Sequence, residues 1–275
     1  MSSKKSAPAQ SRDAARNLAA TMRAEQAARE KRVKIITISA FGVAVAALVA
    51  AIIWAVIASR PAELPEPAPL ATPSVAAESG GISLGKDGVA GTANEGAPVV
   101  DVYLDYMCPW CGVFEETNSA LLTELREAGD ITLVVHPVTI LDRLSSGTAF
   151  STRSAAAAVY VAEKAPEHFD AFNTAMFAKQ PEENSKGLTD REIADIAKSV
   201  GVPADVVDGI ANLDSYKQFA RWVGSQTEKA SADTKLHTQD GIFSTPTIVV
   251  GGTKFEGDWR NEQQFRAAID AAKQG

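Results

Sequence analysis

The chain has 275 residues and two cysteines, Cys108 and Cys111, whose spacing could support redox chemistry. They lie three positions apart in Asp105-Tyr106-Met107-Cys108-Pro109-Trp110-Cys111, where a β-branched apolar run ends and an amphipathic run begins. If the second run is a helix, both thiols fall on one face of its first turn, close enough to form a disulfide. Cys108 then meets the unpaired N–H groups and the positive dipole end of that helix, which favour a thiolate. Pro109 suits the first helical position, where a missing N–H costs little. Cys111, one turn further in, is the less exposed thiol. Roles follow from this asymmetry. Cys108 exchanges with a substrate sulfur, and Cys111 resolves the mixed disulfide. The working group is the Cys108–Cys111 disulfide itself, with no separate cofactor and no metal.

Competing uses of these residues fit less well. An inert staple is weak, because the stabilisation from a disulfide grows with the loop it closes, and this loop is short. Zinc needs two more ligands, and His136, His168 and His237 are scattered through the sequence. Gly81-Ile82-Ser83-Leu84-Gly85 matches a serine-nucleophile pattern but lacks the strand before and the helix after that such an elbow requires. Gly80 to Lys86 matches a phosphate loop until Asp87, where Ser or Thr would hold magnesium. Residues 80–96 read instead as loop with a short edge strand.

Hydrophobic periodicity indicates the elements that position the pair. Val99–Leu104 reads as a buried strand. Val113, Phe114, Leu121, Leu122 and Leu125 give a helical face that ends at Gly129. Ile131–Val138 reads as a second strand, closed by Pro137. A strand–helix–strand unit of this length implies a parallel pair with a crossover. Residues 150–230 are helical in pattern. Thr189 and Glu192 form a capping box ahead of Ile193, Ile196, Ala197 and Val200, and Gly201 with Pro203 ends that helix and opens the next. Leu213, Tyr216, Phe219, Ala220 and Val223 mark another helix. Thr247–Val250, Gly251-Gly252 and Thr253–Phe255 read as a hairpin. Asn261 caps a last helix with Phe265 and Ile269 inward.

Net charge is −7, but residues 1–34 carry +6 and residues 60–275 carry −13. The acidic body argues against nucleic acid as a partner. Between them, Ile35–Ala58 is a run of 24 residues with no charge, and about 20 such residues span a bilayer as a helix. Arg29, Lys31, Arg32 and Lys34 crowd its N-terminal side, whereas Arg60 is soon followed by Glu63 and Glu66. The positive-inside rule therefore keeps residues 1–34, a solvated basic tail, in the cytoplasm and exports the rest. A cleaved signal peptide is the chief alternative, but the apolar run exceeds the usual signal core. Pro61, Pro65, Pro67, Pro69 and Pro73 make residues 59–79 a linker, read as a stiff extended spacer or an unstructured tether.

At this point the sequence resembles the thioredoxin superfamily. Strand, C-x-x-C, helix, strand, a helical stretch, then Thr245-Pro246 before a hairpin is similar to the thioredoxin fold. The long helical insertion, about 140–240, resembles the DsbA branch. So do Asp105-Tyr106, Cys108-Pro109-Trp110-Cys111 and Phe114-Glu115-Glu116. Ser151-Thr152-Arg153-Ser154-Ala155-Ala156-Ala157-Ala158 resembles the Ala-rich helix of its membrane-anchored actinobacterial members. The resemblance covers about residues 80–275 and implies an α/β thioredoxin fold with an inserted helical domain, preceded by one transmembrane helix. It implies that Pro246 is a cis-proline beside the cysteines, that Thr245 offers backbone groups to an extended substrate, and that Trp110 tunes the thiolate and contacts substrate. Relatives often carry an acidic residue six positions before the first cysteine. Here that position is Val102, and Asp101 alternates to the other strand face. Asp105 and Glu116 remain as candidates for proton transfer through water, although surface solvation is the expected role of both.

The expected activity is extracytoplasmic protein thiol–disulfide exchange. The expected partners are exported proteins with reduced cysteines and a membrane reoxidising protein of the DsbB or VKOR type. The expected form is a monomer. A reductase or isomerase using the same site, and a non-catalytic surface binding module, stand as the alternatives.

Overall fold

The computed structural model describes residues 7–58 and 63–274 and falls into two units, Met1–Pro61 and Ala62–Gly275. In the first unit, α1 (Ala7–Ala58) is one helix of 52 residues. Its stretch Ala14–Ile57 is long and apolar enough to cross a membrane and buries nothing against protein. The residues ahead of the apolar run, expected as a solvated tail, are solvated from Ala14 onward but helical. They are rich in Ala and Arg, which are good helix formers, and they extend the helix of the apolar run. Arg60 and Pro61 lie outside the described residues.

In the second unit the strands are β1 (Ile82–Leu84), β2 (Val99–Leu104), β3 (Thr132–Pro137), β4 (Thr247–Val250) and β5 (Thr253–Lys254). Among the described residues they form one sheet in the order β1-β3-β2-β4-β5. β2 and β3 run parallel, with Val102 opposite Val135. α2 (Pro109–Glu127) makes the crossover between them. It stops where Gly129 takes a left-handed conformation at φ 80° and the Asp130 N–H closes on the Leu125 carbonyl at 2.8 Å. β1 adds antiparallel to β3 as the short edge strand. β4 adds antiparallel to the other side of β2 and turns into β5 through Gly251 and Gly252, both at positive φ as a two-residue hairpin requires.

Between β3 and β4 the chain forms α3 (Phe150–Lys164), α4 (Phe169–Ala178), α5 (Asp190–Ser199), α6 (Ala204–Ala211) and α7 (Asp214–Ala232), and α8 (Glu262–Ala272) follows the hairpin. Ala155, Ala156, Ala157 and Ala158 are all buried, so small side chains let α3 pack closely among its neighbours. Thr189 and Glu192 make the reciprocal capping box at the start of α5. Pro203 caps α6 in extended geometry, one position earlier than a first-turn proline. One apolar cluster runs from the sheet into the insertion and includes Val102, Cys111, Phe114, Phe150, Phe172 and Phe219. Each such fully buried aromatic contributes on the order of 2–3 kcal/mol. The redox motif and the insertion therefore share a core.

The proline-rich segment differs from the expected spacer or tether. The Ala68 N–H donates to the Lys217 carbonyl at 2.8 Å, Arg221 pairs with Glu66 at 2.6 Å, and Ser74 donates its N–H to Glu163 at 2.7 Å. An extended proline-rich chain leaves its carbonyls unpaired, and here Arg221 of α7 takes that of Pro67 at 3.2 Å.

Candidate active site

The end of β2 delivers the chain into the start of α2, and the two cysteines straddle that start. Cys108 occupies the N-cap in extended geometry and Pro109 opens the helix. The Cys108 carbonyl accepts the N–H groups of Cys111 at 2.9 Å and Gly112 at 3.3 Å. Both cysteines are free thiols. Cys108 is 5% exposed and Cys111 1%. Across from them the Thr245–Pro246 peptide bond is cis, and the Cys108 thiol donates to the Thr245 carbonyl at 3.3 Å.

The environment separates the two thiols. A hydrogen bond from Cys111 is the largest influence on Cys108. With hydrogen bonding from Thr245 and the Cys111 and Trp110 backbone, it outweighs burial and lowers the Cys108 pKa to about 6. Burial, then the hydrogen bond to Cys108 and its charge, push the Cys111 thiol well above the ordinary range. Trp110 is 56% exposed. With Thr245, Pro246, Trp259 and Arg260 it lines an open groove of about 510 Å³ beside Cys108.

Asp105 corrects the expectation of surface solvation. It is fully buried, and its carboxylate accepts from the Met107 N–H at 2.9 Å, the Leu141 N–H at 3.0 Å and the Ser151 hydroxyl at 2.7 Å. Its own N–H points to the Cys111 sulfur at 3.5 Å. Burial raises its pKa to about 7 against the opposing pull of those hydrogen bonds. Glu116 is exposed on the outer face of α2, with no hydrogen-bond partner among the described residues. Asp101 does alternate away from Val102. On the other sheet face it pairs with His136 at 2.8 Å, where Tyr103 stacks on the imidazole at 4.1 Å.

Sequence reasoning missed three side chains of the insertion that grip the redox loop. Ser151 of α3 holds Asp105. Asn173 of α4 accepts the Tyr106 hydroxyl at 2.8 Å. Gln180, just past α4, donates from Nε2 to the carbonyls of Tyr106 at 3.0 Å and Cys108 at 2.8 Å. Ser151 stands in the quoted Ala-rich stretch, whose small residues signal close packing. A glutamine before a proline reads as surface and gives no such signal. Among the described residues no group of three or more His, Cys, Asp or Glu is placed to hold a metal.

The geometry has counterparts among solved structures. The MdbA protein from Corynebacterium diphtheriae, a thiol-disulfide oxidoreductase, superposes with a TM-score of 0.57 at 23% identity, over 74% of this chain and 95% of that one. Reduced DsbA from Mycobacterium tuberculosis gives 0.52 at 26% identity, over 70% and 98%. The reduced disulfide bond oxidoreductase DsbG from the same organism gives 0.51 at 26%, over 70% and 91%. No curated protein matches by sequence. The family model described as Thioredoxin matches residues 86–271. The chain therefore belongs to the thioredoxin family, in the DsbA-like form whose helical insertion packs behind the paired cysteines.

Proposed function

We propose that this chain is a thiol–disulfide oxidoreductase, held in a membrane by α1 with its thioredoxin-like domain outside the cytoplasm, and that it oxidises cysteine pairs in exported proteins. The observation that carries this reading is the asymmetry of the pair: Cys108 at the N-cap of α2 with its sulfur on the Thr245 carbonyl and its pKa lowered, and Cys111 one turn in, buried, with its pKa raised. In the oxidised enzyme a substrate thiolate attacks the Cys108 sulfur and breaks the Cys108–Cys111 bond. Cys111 departs with the electron pair and takes up a proton. The second substrate thiolate then attacks the substrate sulfur of the mixed disulfide, and Cys108 leaves as a thiolate. One substrate disulfide forms, and the enzyme gains two electrons. A stabilised Cys108 thiolate favours this direction, because a low-pKa thiol leaves faster and its reduced form is more stable. An extended substrate segment pairs with the Thr245 backbone against Pro246 by strand addition, and Trp110 meets it from the groove wall. A membrane protein of the DsbB or VKOR type accepts the electrons and restores the disulfide.

Mixed-disulfide capture tests this reading. In Cys111→Ala the Cys108 thiolate can still attack a substrate disulfide, the reverse of the last step, and no Cys111 is there to displace it. Exported proteins are therefore expected to stay on Cys108, and those same proteins are expected to accumulate with free thiols when Cys108→Ser replaces the wild type. Accumulation with disulfides instead points to a reductase or isomerase. No change in their redox state points to a binding module.

A further inference from the structure

The insertion reaches the redox turn through several side chains, but Gln180 alone among the three grips described above touches Cys108 itself. Ser151 and Asn173 hold Asp105 and Tyr106, ahead of the motif. One amide nitrogen of Gln180 serves both the Tyr106 and Cys108 carbonyls. The backbone delivers it firmly, since the Gln180 N–H closes on the Phe177 carbonyl of α4 at 3.1 Å. Gly112, the residue after Cys111, is shaped to it: a β-carbon there would run into the Gln180 amide oxygen. Gln180 stands with Pro109, Gly112 and Val113 on the wall of a groove of about 600 Å³.

We infer that Gln180 is a positioning residue through which the helical insertion sets the redox chemistry of Cys108. The inference rests on Cys108 being the exchanging thiol, whichever way electrons flow. The carbonyls of Tyr106 and Cys108 are negative dipole ends in the turn that carries the sulfur. A donor fixed on both holds the turn in place and offsets their field, which favours the thiolate. Removing the donor takes from the Tyr106 carbonyl its side-chain partner and leaves the Cys108 carbonyl with only the Cys111 and Gly112 N–H groups. A carboxylate in its place adds charge of the wrong sign.

The test compares the full chain with Gln180→Met, Gln180→Glu and Gly112→Ala. The Cys108 pKa is read from thiolate absorbance, and the equilibrium constant for reduction from glutathione buffers. All three variants are expected to raise the Cys108 pKa and make the site less oxidising. The constant should fall about threefold for Gln180→Met and Gly112→Ala, the size of one modest hydrogen bond. It should fall about tenfold for Gln180→Glu, equivalent to about 30 mV. Gly112→Ala keeps every polar group and places a better helix former in α2, so a shift there reports displacement of Gln180. Combined with Gln180→Met, it should add nothing. Folded Gln180→Met and Gly112→Ala proteins with wild-type pKa and constant would overturn the inference, and these two decide it if Gln180→Glu fails to fold. An ordinary thiol pKa in the wild type, with no exchange activity, would instead overturn the redox reading beneath it.

Discussion

At the residue scale the two cysteines are chemically unequal, and pH exposes the inequality. Alkylation of reduced Cys108 follows its thiolate fraction, so the rate should rise through pH about 6 and level off by about pH 8. A rate still climbing at about pH 9 would mean an ordinary thiol. Asp105 titrates in the opposite sense for stability. Its folded pKa is raised to about 7 from 3.8, so the folded state holds the proton more tightly across that window. The stability it contributes is complete below about pH 4 and is lost as pH rises through about 7. The advantage of reduced wild type over Asp105→Asn in denaturant melts should therefore be largest near pH 4 and shrink toward pH 8. An advantage that grows with pH would contradict the assignment. The cysteine pair was legible in the sequence because its chemistry is local: N-cap, proline and spacing lie within four residues. The burial of Asp105 was not, because the Leu141 N–H and the Ser151 hydroxyl come from 36 and 46 residues away.

At the element scale, local signals fared well and long-range ones did not. The β2–α2–β3 crossover, the capping box of α5 and the hairpin through Gly251-Gly252 all announce themselves over a few residues. The packing of the proline-rich segment on α7 depends on Arg221, about 150 residues away, and has no local signal. Arg126 is a second case. It stands in the last turn of α2, and its partners lie far from it in sequence. In the structure it is 3% exposed, donates to the Gly85 and Lys86 carbonyls at 2.8 and 3.1 Å, and pairs with Asp170 of α4 at 3.1 Å. It thus ties the edge loop, the active-site helix and the insertion together. Arg126→Ala should cost about 2–4 kcal/mol in equilibrium unfolding, since it strands the buried Gly85 carbonyl, the part-buried Lys86 carbonyl and the Asp170 carboxylate. A loss under about 1 kcal/mol would show that water replaces it. Thr189→Ala, which removes only the α5 cap, should cost about 1 kcal/mol.

At the scale of the whole molecule, charge and hydropathy divide the chain as its two units do. The long apolar helix belongs to one, and the acidic thioredoxin-like domain to the other. The full chain should stay with membranes through an alkaline wash, and a chain beginning at residue 62 should not. Recovery of the full chain in the wash would refute the anchor. How the thioredoxin-like domain is used depends on the poise of its cysteine pair, which equilibration of the purified full chain in glutathione buffers of graded ratio measures directly. The expected reduction potential for Cys108–Cys111 lies well above that of thioredoxin, about −270 mV, as a stabilised Cys108 thiolate requires. A potential at or below that value would contradict an oxidase.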